Sequence, residues 1–169
     1  MRAMLRSLGF TIVLAVIVVI IVVIGASSAR AEGGGPFGLG LILGSPTGID
    51  GKIYFNKQNA LDFAVGEAFV NERGLHIHAD YLWHPVMLTQ DEAFFLPLYL
   101  GIGGRFLDHE RHTDTVAHLG VRAPLGILFD FKRIPLDVFL EAALIVDIIR
   151  PSEDDVVDVN IAVGVRYYF

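Results

Sequence analysis

From residue 36 onward the chain alternates between apolar and polar or small positions. In residues 157–169, Val157, Val159, Ile161, Val163, Val165, Tyr167 and Phe169 fall on one side of a strand. Asp158, Asn160, Ala162, Gly164, Arg166 and Tyr168 fall on the other. Residues 75–84 repeat the contrast, with Leu75, Ile77, Ala79, Tyr81 and Trp83 opposed to His76, His78, Asp80, Leu82 and His84. A period of two held this long predicts strands. Reading outward from these anchors gives eight, near 36–44, 49–55, 60–70, 75–84, 94–107, 116–131, 136–149 and 157–169. Turn chemistry separates most of them, at Ser45 to Gly48, Asn56 to Asn59, Asn71 to Gly74, Asp108 to Thr115, Lys132 to Pro135 and Pro151 to Asp155. Pro85 to Ala93 is the least turn-like connection. No stretch has helical periodicity, so the fold class expected is all-β, antiparallel and up-and-down.

The first 31 residues follow different rules. Arg2 and Arg6 form a positive head, Leu8 to Ile24 is an apolar run, and Ala29 and Ala31 give the A-x-A spacing of a signal peptidase site. A cleaved signal peptide over 1–31 is expected; the competing reading is an uncleaved membrane helix. Residues 32–35 then form a flexible glycine-rich joint before a β-domain over 36–169.

Composition narrows the function. Just over half of the residues are hydrophobic (53%) and 19% are charged, which excludes a disordered chain. Without the three leader arginines, 10 Lys+Arg face 19 Asp+Glu, a formal net charge of −9. That acidity argues against nucleic-acid binding. There is no cysteine, hence no disulfide framework, thiolate metal site or thiol nucleophile.

A soluble sandwich would also alternate, with its apolar side inward. Three features favour the inverse, a narrow barrel with its apolar side outward. The polar side is rich in glycine (Gly38, Gly40, Gly66, Gly101, Gly103, Gly120, Gly164), which suits a lumen filled by side chains. Its charges come in both signs: Asp50, Lys52, Asp62, Asp80, Arg105, Arg122, Asp130, Asp137, Glu141, Asp147, Asp158 and Arg166. Mixed signs allow each buried charge a partner. Of these, Arg105, Arg122 and Arg166 set against Asp80, Asp130, Asp137, Glu141 and Asp158 are expected to form an internal ionic network. Finally, aromatic residues gather near strand ends (Tyr81 and Trp83, Phe94 and Phe95, Phe129 and Phe131, Tyr167 and Phe169), as in the interfacial girdles of membrane barrels. An even strand count puts both ends of the domain on the periplasmic side, and the connections at the opposite side are short.

The terminal Phe169, preceded on its own side by Tyr167, Val165, Val163 and Ile161, resembles the signal by which outer-membrane barrels are recognised by their assembly machinery. Size and strand count are similar to the small OmpA/OmpX-type barrels. Gly44 to Gly48, Leu75 to His84, Leu98 to Arg105 and Pro135 to Glu141 resemble a family of small outer-membrane β-barrel proteins of spirochaetes and proteobacteria. The resemblance implies an eight-stranded transmembrane barrel in the outer membrane of a Gram-negative-type bacterium, with lipids and the assembly machinery as partners. It implies no reaction.

Candidate chemistry is sparse. His76, His78 and Asp80, with His84 on the same side, have the spacing of a zinc site; the competing role is hydrogen bonding across the lumen to Asp62 or Tyr99. The segments Asp108 to Thr115 and Ser152 to Asp155 are acidic and could meet a divalent cation, though the second lacks the spacing of an EF-hand. Only Ser45 and Ser152 remain as hydroxyl nucleophiles of the serine type after residue 31, so a Ser-His-acid site would need Ser45 to reach a histidine. Gly101-Ile102-Gly103-Gly104 sits within a strand and is no phosphate loop. The reading that results is a monomeric, non-enzymatic membrane component without cofactor. A small porin-like path for water or ions and a rim-located lipid-modifying enzyme stand as alternatives.

Overall fold

The structure is a computed structural model, and it describes residues 35–68, 74–111, 114–150 and 155–169, with the side chains of 109–111 and 114–116 outside that description. The leader, residues 32–34 and the acidic stretch 152–154 lie outside the described residues, so the expectations for them stand as sequence readings. Eight strands follow in chain order: β1 (Phe37–Gly44), β2 (Thr47–Tyr54), β3 (Asn59–Ala68), β4 (Gly74–Gln90), β5 (Phe94–Arg111), β6 (Asp114–Phe131), β7 (Leu136–Ile149) and β8 (Val157–Tyr168). Each pairs antiparallel with its neighbour in sequence, and β8 pairs with β1, closing a barrel. Closure leaves no continuous open edge.

The alternation sorts side chains as it does because successive residues of a strand point to opposite faces. Outward lie Leu41, Ile77, Ile102, Leu140, Ile148 and the whole set Val157 to Phe169 at odd positions. On β2, Ile53 breaks the pattern and is buried. Inward lie most of the charged strand residues, Glu67 of β3 being an exposed exception, and glycines make room for them. Gly164 pairs across the ladder with Phe139, Gly38 with Tyr168, Gly103 with Asp80, and Gly120 with Asp147. A Cβ on Gly164 would come within 2.3 Å of the Phe139 ring, and one on Gly120 within 2.3 Å of an Asp147 oxygen.

Turn residues close the hairpins at what we term the near end, which carries Phe37 and Phe169. Asn56 Oδ1 accepts from the backbone N–H of Gln58 and of Asn59, both at 2.9 Å, which ends β2 and starts β3. At the far end the β1–β2 turn needs Gly44, whose φ is +131° and whose Cβ would meet the Ile161 carbonyl at 2.2 Å.

Three boundaries differ from the sequence reading. The β1–β2 turn is shorter, because β2 begins at Thr47. Pro85 to Gln90 is strand: β4 runs on through two register shifts, between Trp83 and Val86 and between Met87 and Thr89, and turns only at Asp91–Ala93. Proline and these bulges hide the alternation there. Most of Asp108 to Thr115 is strand too, since β5 runs to Arg111 and β6 starts at Asp114, paired with each other. Polar composition alone marks a segment as solvated, not as a loop.

Candidate functional site

The lumen is the site. Among the described residues it holds four cations, Lys52, Arg105, Arg122 and Arg166, against seven carboxylates, Asp50, Asp62, Asp80, Asp137, Glu141, Asp147 and Asp158. Each arginine comes from a different strand and gathers carboxylates from others. Arg122, on β6, donates to Asp80 on β4 and to Glu141 on β7. Arg166, on β8, pairs with Asp62 on β3, with Asp137 on β7 through Nε at 3.1 Å, and with Asp50 on β2 at 3.4 Å. Arg105, on β5, reaches Asp147 at 2.6 Å and the partly exposed Asp158 at 2.5 Å. A planar fork of donors suits this multiple pairing, where a lysine would not.

Phenols and rings complete the near-end half. Tyr99 donates to Glu141 at 2.9 Å and Tyr168 to Asp137 at 2.5 Å. The Arg166 guanidinium lies 4.0 Å from the Phe139 ring centroid. Lys52 is fully buried, 5.0 Å from the ring centroids of Tyr54 and Tyr99, and its ammonium lies 3.0 Å from His84 Nε2. His84 Nδ1 faces the Gln58 carbonyl at 2.9 Å and must donate to it, which leaves Nε2 as the acceptor for Lys52. Tyr54, His84, Tyr99 and Tyr168 make successive ring contacts of 5.4–6.0 Å. Leu82 and Leu128 are completely buried among them. Above this layer, at the near-end mouth, a cavity of about 380 Å³ is floored by Tyr54 and His84 and walled by Val86, Met87, Phe95 and Pro97.

The far-end half is different in kind. His78 Nδ1 and His76 Nε2 are 3.2 Å apart, a hydrogen bond within one strand, and His78 Nε2 stands 4.0 Å from Asp80 Oδ2. His118 Nδ1 lies 3.4 Å from Asp147. Asn160 donates to Ser45 Oγ at 3.2 Å.

Several expectations change in detail. Asp130 is half-buried, lines the cavity at the near-end mouth and stands opposite Asp137 in the ladder. Its place one residue before the end of β6 puts it at that mouth. His76 and His78 bond to one another, and His84 bonds to Lys52 and to the Gln58 carbonyl. Among the described residues no group of three His, Asp or Glu side chains converges as metal ligands. Ser45 is buried in the β1–β2 turn with Asn160 as its partner. Lys52, Asp50, Asp62 and Asp147 join the network that was expected around the other charges, and His118, Asn160, Tyr54 and Tyr168 add to it. Alternation points them inward, at even positions on β2, β3, β6 and β8 and, for Asp147, at an odd position on β7; nothing in the sequence pairs them. Aromatic side chains of the outer surface gather at the near end, with ring contacts Phe94–Phe129, Tyr167–Phe169 and Phe37–Phe169 at 5.1–6.4 Å.

Comparison with known proteins adds nothing to this geometry: no family model matches the chain, and neither does any curated protein or any solved structure.

Proposed function

We propose that the protein is an integral outer-membrane barrel with a structural or interaction role and no catalytic activity. One observation carries the reading: the outward stripe of each strand is apolar, while buried charges fill the lumen. Ile148 and Ile161 are 69% and 63% exposed, whereas Arg122 and Arg166 are 1% exposed. In water that arrangement would leave a continuous greasy surface far larger than soluble monomers tolerate. In a bilayer it is the low-energy one, because hydrocarbon needs apolar contacts and a closed ladder to satisfy every backbone group. Strands of 8 to 18 residues bracket the length that crosses hydrocarbon when tilted. The near-end aromatic belt then sits at the periplasmic interface, and the chain enters the membrane through the assembly machinery that reads Ile161, Val163, Val165, Tyr167 and Phe169.

The test is membrane fractionation with heat-modifiable gel mobility. The protein is expected in the outer-membrane fraction, with faster migration before boiling than after. A soluble protein with one mobility would overturn the location.

A further inference from the structure

Buried polar atoms are not satisfied evenly along the lumen. In the near-end half Lys52, Tyr99, Asp137 and Arg166 all find hydrogen-bonding partners. From Asp50 toward the far end polar atoms are left without protein partners. Two donors, Arg105 Nε and Arg122 Nε, are buried with no hydrogen-bond partner among the described residues. So are acceptors: one oxygen each of Asp80, Asp147 and Asn160, and both oxygens of Asp50, whose ion pair with Arg166 at 3.4 Å lacks hydrogen-bond geometry. His76 Nδ1 and His78 Nε2, which can play either role, complete the set. Groups of this type are almost always paired in folded proteins, because leaving them bare forfeits their solvation.

The mixture of donors and acceptors selects the ligand. An anion would meet Asp50, Asp80 and Asp147; a cation would meet two guanidinium groups. Water offers both hydrogens and lone pairs in the smallest volume, and a buried water uses two to four such partners. We propose that the far-end half of the lumen is a blind, water-binding chamber, hydrated down to the Asp80–Arg122 pair and closed from the near end by the Tyr99–Leu82–Leu128 layer. His76 and His78 are its spine. Their direct bond of 3.2 Å passes a hydrogen bond along β4, and the 4.0 Å from His78 Nε2 to Asp80 is a span that one water bridges. Beyond Asp80 the chain of polar groups is dry, since Arg122 and Glu141 bond directly and Tyr99 caps Glu141. The chamber depends on the closed barrel and its side chains, not on the solvent outside, so it stands or falls separately from the membrane reading.

The test is NMR of the isotope-labelled full barrel in detergent micelles, reading magnetisation transfer from water. The His78 ring and the Arg122 Nε–H are expected to show water cross-peaks and solvent exchange about tenfold or more faster than the Tyr99 hydroxyl. His78→Phe, which fills the path while retaining the heat-modifiable shift, is expected to slow Arg122 Nε–H exchange by about tenfold. Absence of water cross-peaks at His78 and Arg122 in the folded wild-type barrel would overturn the chamber, as would equal exchange at Tyr99. Unchanged Arg122 exchange in His78→Phe would overturn the route through the histidines. The wild-type measurement decides alone if that variant does not fold.

Discussion

At Arg122 two carboxylates, one from β4 and one from β7, meet one guanidinium that is almost wholly out of solvent. Removing the cation leaves Asp80 and Glu141 facing each other's charge inside a narrow lumen. Arg122→Leu is therefore expected to lower stability by about 3–5 kcal/mol, read as the shift of the urea midpoint in lipid. The triple change Arg122→Leu, Asp80→Leu, Glu141→Leu should recover much of that loss, because apolar side chains carry no desolvation cost. The glycines give a second residue-scale prediction. Gly164→Ala places a methyl against the Phe139 ring and should cost about 1–3 kcal/mol by the same unfolding measurement. Adding Phe139→Leu should relieve it, and a strictly additive pair of losses would show that the glycine serves another purpose. That Gly164 and Arg166 point inward was legible in the alternation. That Gly164 makes room for Phe139, and Arg166 serves Asp62, was not, since strand pairing and closure bring these residues together.

Among the elements β4 separates what alternation can and cannot tell. Its residues 75–84 face as their parity requires, with His76, His78, Asp80, Leu82 and His84 buried. Past Trp83 the pairing with β3 stops while the pairing with β5 continues to Gln90, so the β4–β5 hairpin projects beyond its neighbour. Val86, Met87 and Leu88 are all exposed there, consecutive residues that a regular strand would split between two faces. In the membrane reading they face the near-end interface beside the Phe94–Phe129 contact, away from the middle of the bilayer. Leu88→Arg is accordingly expected to change stability by less than about 0.5 kcal/mol, within the range of neutral surface substitutions. Val163→Arg, in the middle of β8's outer face, should cost about 2–4 kcal/mol in lipid. Equal costs at the two sites would place this part of the hairpin at the middle of the bilayer.

For the molecule as a whole, the layered lumen sets what can pass through it. An eight-stranded barrel leaves an interior that side chains fill, and here rings and leucines occupy the near-end half at full burial. Reconstituted protein is expected to give no steady single-channel currents in planar bilayers. Stable conductance steps would mean that the Tyr54–Tyr168 layer opens, and would favour the porin-like alternative. Outward and inward chemistry also predict a preference for solvent: the barrel should keep its fast, unboiled gel mobility in micelles and aggregate when detergent is removed. A monodisperse detergent-free barrel would sink the membrane reading.

By itself the sequence determined the strand class, the count of eight and the sense of each face, because a period of two is a local property that every short window repeats. It also determined that charges of both signs share the inner face. Only the tertiary structure decided which carboxylate each arginine holds, where β4 ends, and that Asp130 lines the near-end mouth. Those outcomes depend on register and strand tilt around a closed ring, where residues more than a hundred positions apart, such as Asp62 and Arg166, become neighbours. No local pattern encodes that distance.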